Sequence, residues 1–235
     1  VQRDAEGKIT SGTVDFTVRH RFPGAVVFTG LHIHRGRAGA NGPVVIDSGI
    51  TGATAVESES GVGQIVRTAQ IAAGSPQVDV LSQMIASPEE FYLNLHSRAN
   101  PGGAVRAQMA RADRRVYGIP MGSENEVPAV RSPARGMAFV TLLTSFDAQN
   151  RVLSSEASFD LTYTGFAEGT QFTGMHIHSG SAGTNGPVTI DTGLTRAQNV
   201  LAGTGGNGSL RYVSDVNMGS QNSVNTILNI YADPG

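Results

Sequence analysis

Apolar and polar residues alternate along much of this chain. In Thr13–Phe22, Val14, Phe16, Val18, His20 and Phe22 alternate with Asp15, Thr17, Arg19 and Arg21, the period-two signature of a half-buried strand. Pro23-Gly24 ends that strand. A second strand spans 25–34, passing Val26, Phe28 and Leu31 and closing on His32-Ile33-His34. A glycine loop follows, then Val44-Val45-Ile46, and Gly61–Ile71 reads as a further strand. The period changes after Ser75-Pro76, where a hydroxyl N-cap and a first-turn proline precede Val78, Leu81, Met84 and Ile85 at helical spacing, with Pro88 as the stop. Phe91–His96 returns to strand, and Pro101-Gly102-Gly103 turns it into a hairpin with Ala104–Met109.

The pattern then repeats. Ser154–Tyr163 matches the first strand, and Asn225–Tyr231 is read as the match to Phe91–His96, with Asn229 against Asn94 and Tyr231 against His96. Between the copies, residues 110–116 form a charged junction, and Val116–Pro120 and Gly136–Leu143 supply strands with no counterpart in the first copy. The second copy stops at Asp233-Pro234-Gly235 without a match to 104–109, which leaves an open strand edge. Either the protein extends beyond both ends or a partner supplies the strands. The expected architecture is all-β: two tandem Greek-key-like antiparallel β-sandwich domains, 1–113 and 114–235, each with one short helix or helical turn.

The duplication is most literal at one motif. His32-Ile33-His34 recurs as His176-Ile177-His178 at an offset of 144 residues, and nearly the same Gly-x-Ala-Gly-x-Asn-Gly-Pro-Val loop follows each. Four of the six histidines lie in these two copies. Residues two apart on a strand face the same way, so His32 and His34 share one face and Leu31 and Ile33 the other. His96, in phase with Tyr92 and Asn94 at the end of another strand, is the candidate third imidazole. The candidate metal ligands are therefore His32, His34 and His96, with His176 and His178 as an incomplete second set. Three imidazoles without thiolate or carboxylate suit copper best and zinc next. The competing assignment is structural, with ring N–H groups pinning the loop to backbone carbonyls. His20, repeated as Tyr163, is read as a packed aromatic position, and Asp47 and Asp191 as turn residues.

Composition narrows the rest. Thirty glycines and 15% charged residues suit a turn-rich β protein, and the net charge of −2 gives no case for nucleic acid. The run Arg106, Arg111, Arg114, Arg115 reads as a solvated linker face. The absence of cysteine excludes disulfides and thiolate metal sites. No apolar stretch approaches the roughly 18–20 residues of a membrane helix. The chain starts without Met and almost inside a strand, as a processed segment with its signal removed would. The loop lacks the lysine and following helix of a phosphate loop, so its glycines serve a tight turn.

Ser123-Glu-Asn-Glu-Val-Pro128, His176–Val188, Leu93-Asn-Leu-His96 and Pro101–Arg106 together resemble the CHRD (chordin) domain family, in two copies over nearly the whole chain. That family occurs in chordin, beside cysteine-rich modules that bind growth factors, and in many exported bacterial proteins. The resemblance implies an extracytoplasmic β-sandwich (secreted, periplasmic or at the cell surface) with protein partners or self-assembly, and brings no set activity. A more distant likeness is to Cu,Zn superoxide dismutase, whose copper ligands His32, His34 and His96 would match and whose anion-guiding arginine Arg106 would match. Val44 and Val188 stand where that family's bridging histidine follows Gly-Pro, and its zinc ligands have no counterparts. Three functions follow: a non-enzymatic binding or structural module, a copper-handling or redox protein, and an adhesion module.

Overall fold

A computed structural model describes residues 1–232; the Asp233-Pro-Gly end lies outside the described residues. The chain divides into two units, the first ending at Ala110 and the second beginning at Arg111.

In unit 1 the strands are β1 (Gln2–Arg3), β2 (Ile9–Arg21), β3 (Val26–Arg35), β4 (Val44–Asp47), β5 (Val56–Ser58), β6 (Val62–Ile71), β7 (Phe91–Ser97) and β8 (Val105–Gln108), with helix α1 (Gln77–Ala86) between β6 and β7. One sheet has the order β1-β2-β6; the other runs β4-β3-β7-β8, with β5 also paired to β3. The chain passes between sheets at β2–β3, β5–β6 and β6–β7, so each sheet mixes distant segments. The alternation on β2 decides its facing: Phe16 is buried, Val14 and Val18 are half-buried, and Asp15, Thr17 and Arg19 face water. Phe16 and Ile65 from one sheet, Phe28, Leu31, Ile33, Phe91 and Leu95 from the other, and Val78 and Leu81 of α1 form one core. Each such fully buried apolar side chain stabilises by about 1.5–3 kcal/mol relative to exposure. Helix α1 occurs where expected but starts differently: Pro76 is its N-cap and makes no side-chain cap, and the Val78 N–H donates to the Ser75 carbonyl instead.

In unit 2 the strands are β9 (Arg111–Gly122), β10 (Arg135–Phe146), β11 (Val152–Thr164), β12 (His176–His178), β13 (Val188–Asp191) and β14 (Gly208–Asp215), followed by helix α2 (Gln221–Ala232). The first sheet is β14-β11-β10-β9; among the described residues the second consists of β12-β13. Strands β11 and β14 repeat β2 and β6. Val140 and Leu142 on β10, Ala157 and Phe159 on β11, Ile190 on β13 and Ile227 on α2 share a core.

Two expectations are corrected here. The junction 110–116 is not a linker: from Arg111 it is strand β9, paired along its length with β10, and Arg111 and Arg114 project from it into solvent. More important, 225–231 is helix, not strand. Val224, Ile227, Leu228 and Tyr231 fall at i, i+3, i+4 and i+7, and the Ser220 hydroxyl accepts the Ser223 N–H as an N-cap. Helix α2 therefore repeats α1, each following the strand at the sheet edge. Among the described residues, nothing in unit 2 repeats β7 or β8.

Candidate metal centre

Strand β3 is buried on both faces. Leu31 and Ile33 point into the sandwich core, and His32 and His34 point out of it. Strand β7 pairs antiparallel with β3 in the register His34↔Tyr92, His32↔Asn94, Gly30↔His96. Side chains directly opposite on a sheet share a face, so Tyr92, Asn94 and His96 join His32 and His34 on the outer side. The structure thus brings His32, His34 and His96 together, with their candidate ligand nitrogens all within 4.8 Å of one another. The ring centroids of His32 and His96 are 4.8 Å apart, and that of His34 lies 5.8 and 5.9 Å from them.

The sequence did not single out what makes this meeting possible, the glycine opposite His96. A Cβ on Gly30 would stand 2.7 Å from His32 Cε1 and 3.3 Å from His96 Cδ2, so its bare backbone is the notch in which the two rings converge.

The second nitrogen of each ring has a defined neighbour. His34 Nδ1 lies 2.9 Å from the Gly42 carbonyl, and His96 Nδ1 lies 2.9 Å from the Pro101 carbonyl. A carbonyl only accepts, so in the neutral ring Nδ1 carries the proton and Nε2 keeps its lone pair. His32 Nε2 faces Asp47 Oδ1 at 3.7 Å, which favours its proton there and leaves Nδ1 bare. The three remaining nitrogens, His32 Nδ1, His34 Nε2 and His96 Nε2, are buried and without a hydrogen-bond partner. Burial holds the His32 imidazole below its usual pKa; the Asp47 carboxylate works against this, and His96 and His34 add to it. The neutral, ligating form is thereby favoured.

Loops complete the enclosure. Tyr92 stacks on His34 at 4.8 Å and 10°, and its hydroxyl accepts the Gly42 N–H. A Cβ on Gly42 would fall 1.5 Å from the Arg35 carbonyl oxygen, so only glycine permits this loop to fold back beside His34. Asp47 Oδ1 also accepts the Gly49 N–H, the turn role expected of it. Arg106 lies over the Tyr92 ring, 3.5 Å from its centroid, and donates to Asn41 Oδ1 and the Ala40 carbonyl. Its guanidinium braces the loop, a different task from the anion guidance that the dismutase likeness implies. His20 packs on Phe22 and Phe28 and lies 2.9 Å from the Gly61 carbonyl, an aromatic packing position like Tyr163 among Phe166 and Phe172.

Unit 2 reproduces half of this arrangement. His176 and His178 sit 5.8 Å apart, His178 Nδ1 lies 2.9 Å from the Gly186 carbonyl, and His176 Nε2 lies 3.4 Å from Asp191 Oδ1. Both histidines are exposed, and they belong to no group of three potential ligands among the described residues. Tyr231 does not take the third place. It is on α2, its hydroxyl donates to the Asp113 carbonyl, and its ring packs on Phe146 and Arg115. Burial raises the pKa of its phenol, which disfavours the phenolate a metal would need.

Fold and repeat together define an all-β sandwich domain carried twice, with a His-x-His strand on the outer side of each copy. A family model for the CHRD domain matches residues 2–109 and again 117–228, and the chain belongs to that family. No curated protein and no solved structure gives a significant match to it. No helix among the described residues is long and apolar enough to cross a membrane.

Proposed function

We propose that this chain is an extracytoplasmic binding module that holds one copper ion on His32, His34 and His96, and that works by binding a partner protein, not by turnover. One observation carries the metal assignment: His32, His34 and His96 each bury a ring nitrogen with no hydrogen-bond partner, and the three offer ligand nitrogens within 4.8 Å of one another. Burying such acceptors unpaired is costly, and an ion shared among them removes the cost. The backbone carbonyls and carboxylate behind the rings are the outer partners that orient metal-binding histidines. Metal–nitrogen bonds of about 2.0–2.1 Å put ligand nitrogens roughly 3.3–3.5 Å apart, so nitrogens now within 4.8 Å of one another close by at most about 1.5 Å on loading. An all-imidazole set suits copper, which also stands above zinc in divalent affinity. Family membership supports the extracellular setting and the protein partner. The net charge of −2 argues against nucleic acid as that partner.

Metal analysis and copper titration of the purified chain test this directly. The expected result is one tightly held copper per chain, lost on His96→Ala with the fold retained by circular dichroism, and kept on His176→Ala. A chain that takes up neither copper nor zinc at micromolar concentration, or a His96→Ala variant that binds as well as the parent, overturns it.

A further inference from the structure

The three rings of unit 1 are neutral donors, and the charges around them discriminate between ions. Among the described residues no carboxylate or further histidine joins the group of three. Tyr92 is not a fourth ligand: its ring stacks on His34, and its hydroxyl is taken by the Gly42 N–H at 3.1 Å. Asn94, paired with His32 across β3 and β7, is buried and uncharged. The unpartnered ring nitrogens are themselves buried, so an ion held on them leaves most of its water behind. Asp47 Oδ1 lies 3.7 Å from His32 Nε2, but its side chain is 54% exposed and water screens it. The Arg106 guanidinium lies 3.5 Å from the centroid of the Tyr92 ring, which sets a fixed positive charge against the ring that packs on His34.

We propose that this site selects the monovalent ion, copper(I), over copper(II); the inference rests on the copper reading and deepens it. The cost of stripping water from an ion grows with the square of its charge, so a divalent ion is penalised about four times as heavily as a monovalent one in the same buried place. Copper(I) and Asp47 balance in charge, whereas copper(II) leaves a positive surplus to which Arg106 adds. Coordination number points the same way. Three rings are enough for a d¹⁰ ion, whose filled shell imposes no geometry, but copper(II) takes square-planar or tetragonal surroundings. With no sulfur in the set, selection comes from charge and coordination number and not from donor softness. The enclosing shell thereby decides the oxidation state, as outer groups tune a metal's reduction potential. Unit 2 differs in this respect: His176 and His178 are exposed, although the glycine notch recurs beside them, where a Cβ on Gly174 would stand 2.4 Å from His176 Cε1. A pair open to water carries no such penalty on the divalent ion.

Affinities for both ions are measured on the full chain carrying His176→Ala and His178→Ala, which removes the exposed pair. Anaerobic competition with a chromogenic copper(I) chelator gives one constant. Competition with glycine for copper(II), followed by electron paramagnetic resonance, gives the other. Copper(I) is expected to be held roughly 100-fold more tightly than copper(II), the direction set by the desolvation of the extra charge. Asn94→Asp sets a carboxylate opposite His32 with little change of shape, and should cut that preference by about tenfold. Copper(II) bound as tightly as copper(I), or more tightly, overturns the proposal and leaves the copper reading standing. An unchanged ratio in a folded Asn94→Asp chain overturns it as well; if that variant does not fold, the ratio in the chain with Asn94 decides alone. A chain that binds neither ion overturns the copper reading and this inference with it.

Discussion

The two units start from nearly the same motif and end with different sites. His32 and His34 are tucked against β7 beneath two loops, whereas His176 and His178 stand open to solvent. The glycine loops, the carbonyls behind the rings and the aspartates are the same in both. Among the described residues, what differs is one strand, β7. A His-x-His pair on an edge is therefore only half a site; the neighbouring strand brings the third ring, buries the other two and seals the core beneath them.

If β7 is what seals unit 1, the largest effect of breaking the comparison should appear in the core. Leu31 is fully buried under β7, while its repeat counterpart Met175 is half-buried. Leu31→Ala should cost about 2–5 kcal/mol, the range for leucine removal from a packed core. Met175→Ala should cost about 1 kcal/mol, the ordinary value for a point substitution. Chemical denaturation of the two variants checks the ranking; equal losses would mean that unit 2 is as well sealed as unit 1.

A smaller effect is expected at the glycine notches. Gly30→Ala puts a methyl group where the His32 and His96 rings meet, and should weaken copper binding by about 10–100-fold, the scale of damage to a metal site's supporting contacts. Gly174→Ala should leave the copper content of the isolated chain unchanged. A Gly30→Ala variant with parental affinity would show that the rings do not need the notch. Removing the outer partner alone is milder: Asp47→Asn should weaken binding about tenfold, near the low end of the same range, and Asp191→Asn should not change it.

Much of the unit 1 site was legible in the sequence because a strand has period two: once His32, His34 and His96 were placed on strands, their common face followed. The glycine notch was not, because it depends on the cross-strand register that pairs Gly30 with His96, a relation between segments 66 residues apart in the chain. The groups fixing the ring tautomers were equally hidden, since the carbonyls of Gly42 and Pro101 belong to the backbone and leave no residue signature. The misread helix has another cause. Asn225–Tyr231 holds β-branched and aromatic residues, which satisfy a strand pattern, but the repeat of Ile227, Leu228 and Tyr231 after Val224 and the Ser220 cap favour the helical alternative. Aligning Asn229 with Asn94 then matched residue type against the wrong element.

The finest distinction lies in acid. Burial lowers the pKa of His32 in the folded chain from the ordinary 6.5. As pH falls through 6.5 the unfolded chain takes up this proton while the folded chain does not, so the unfolded state gains and stability falls with decreasing pH. The loss levels off once the pH passes below the folded value, where both states are protonated. Metal-free chain should therefore show a urea midpoint that declines on going from pH 7 to below 6.5, and His32→Gln should flatten that slope. Asp47 raises the His32 pKa, so Asp47→Asn should lower it further and extend the decline to more acid pH. Copper loading should move the same way, since protons compete with the ion for the ring nitrogens. A metal-free midpoint equally pH-dependent in the parent and in His32→Gln would remove His32 as the cause and with it this distinction between the buried and exposed histidine pairs.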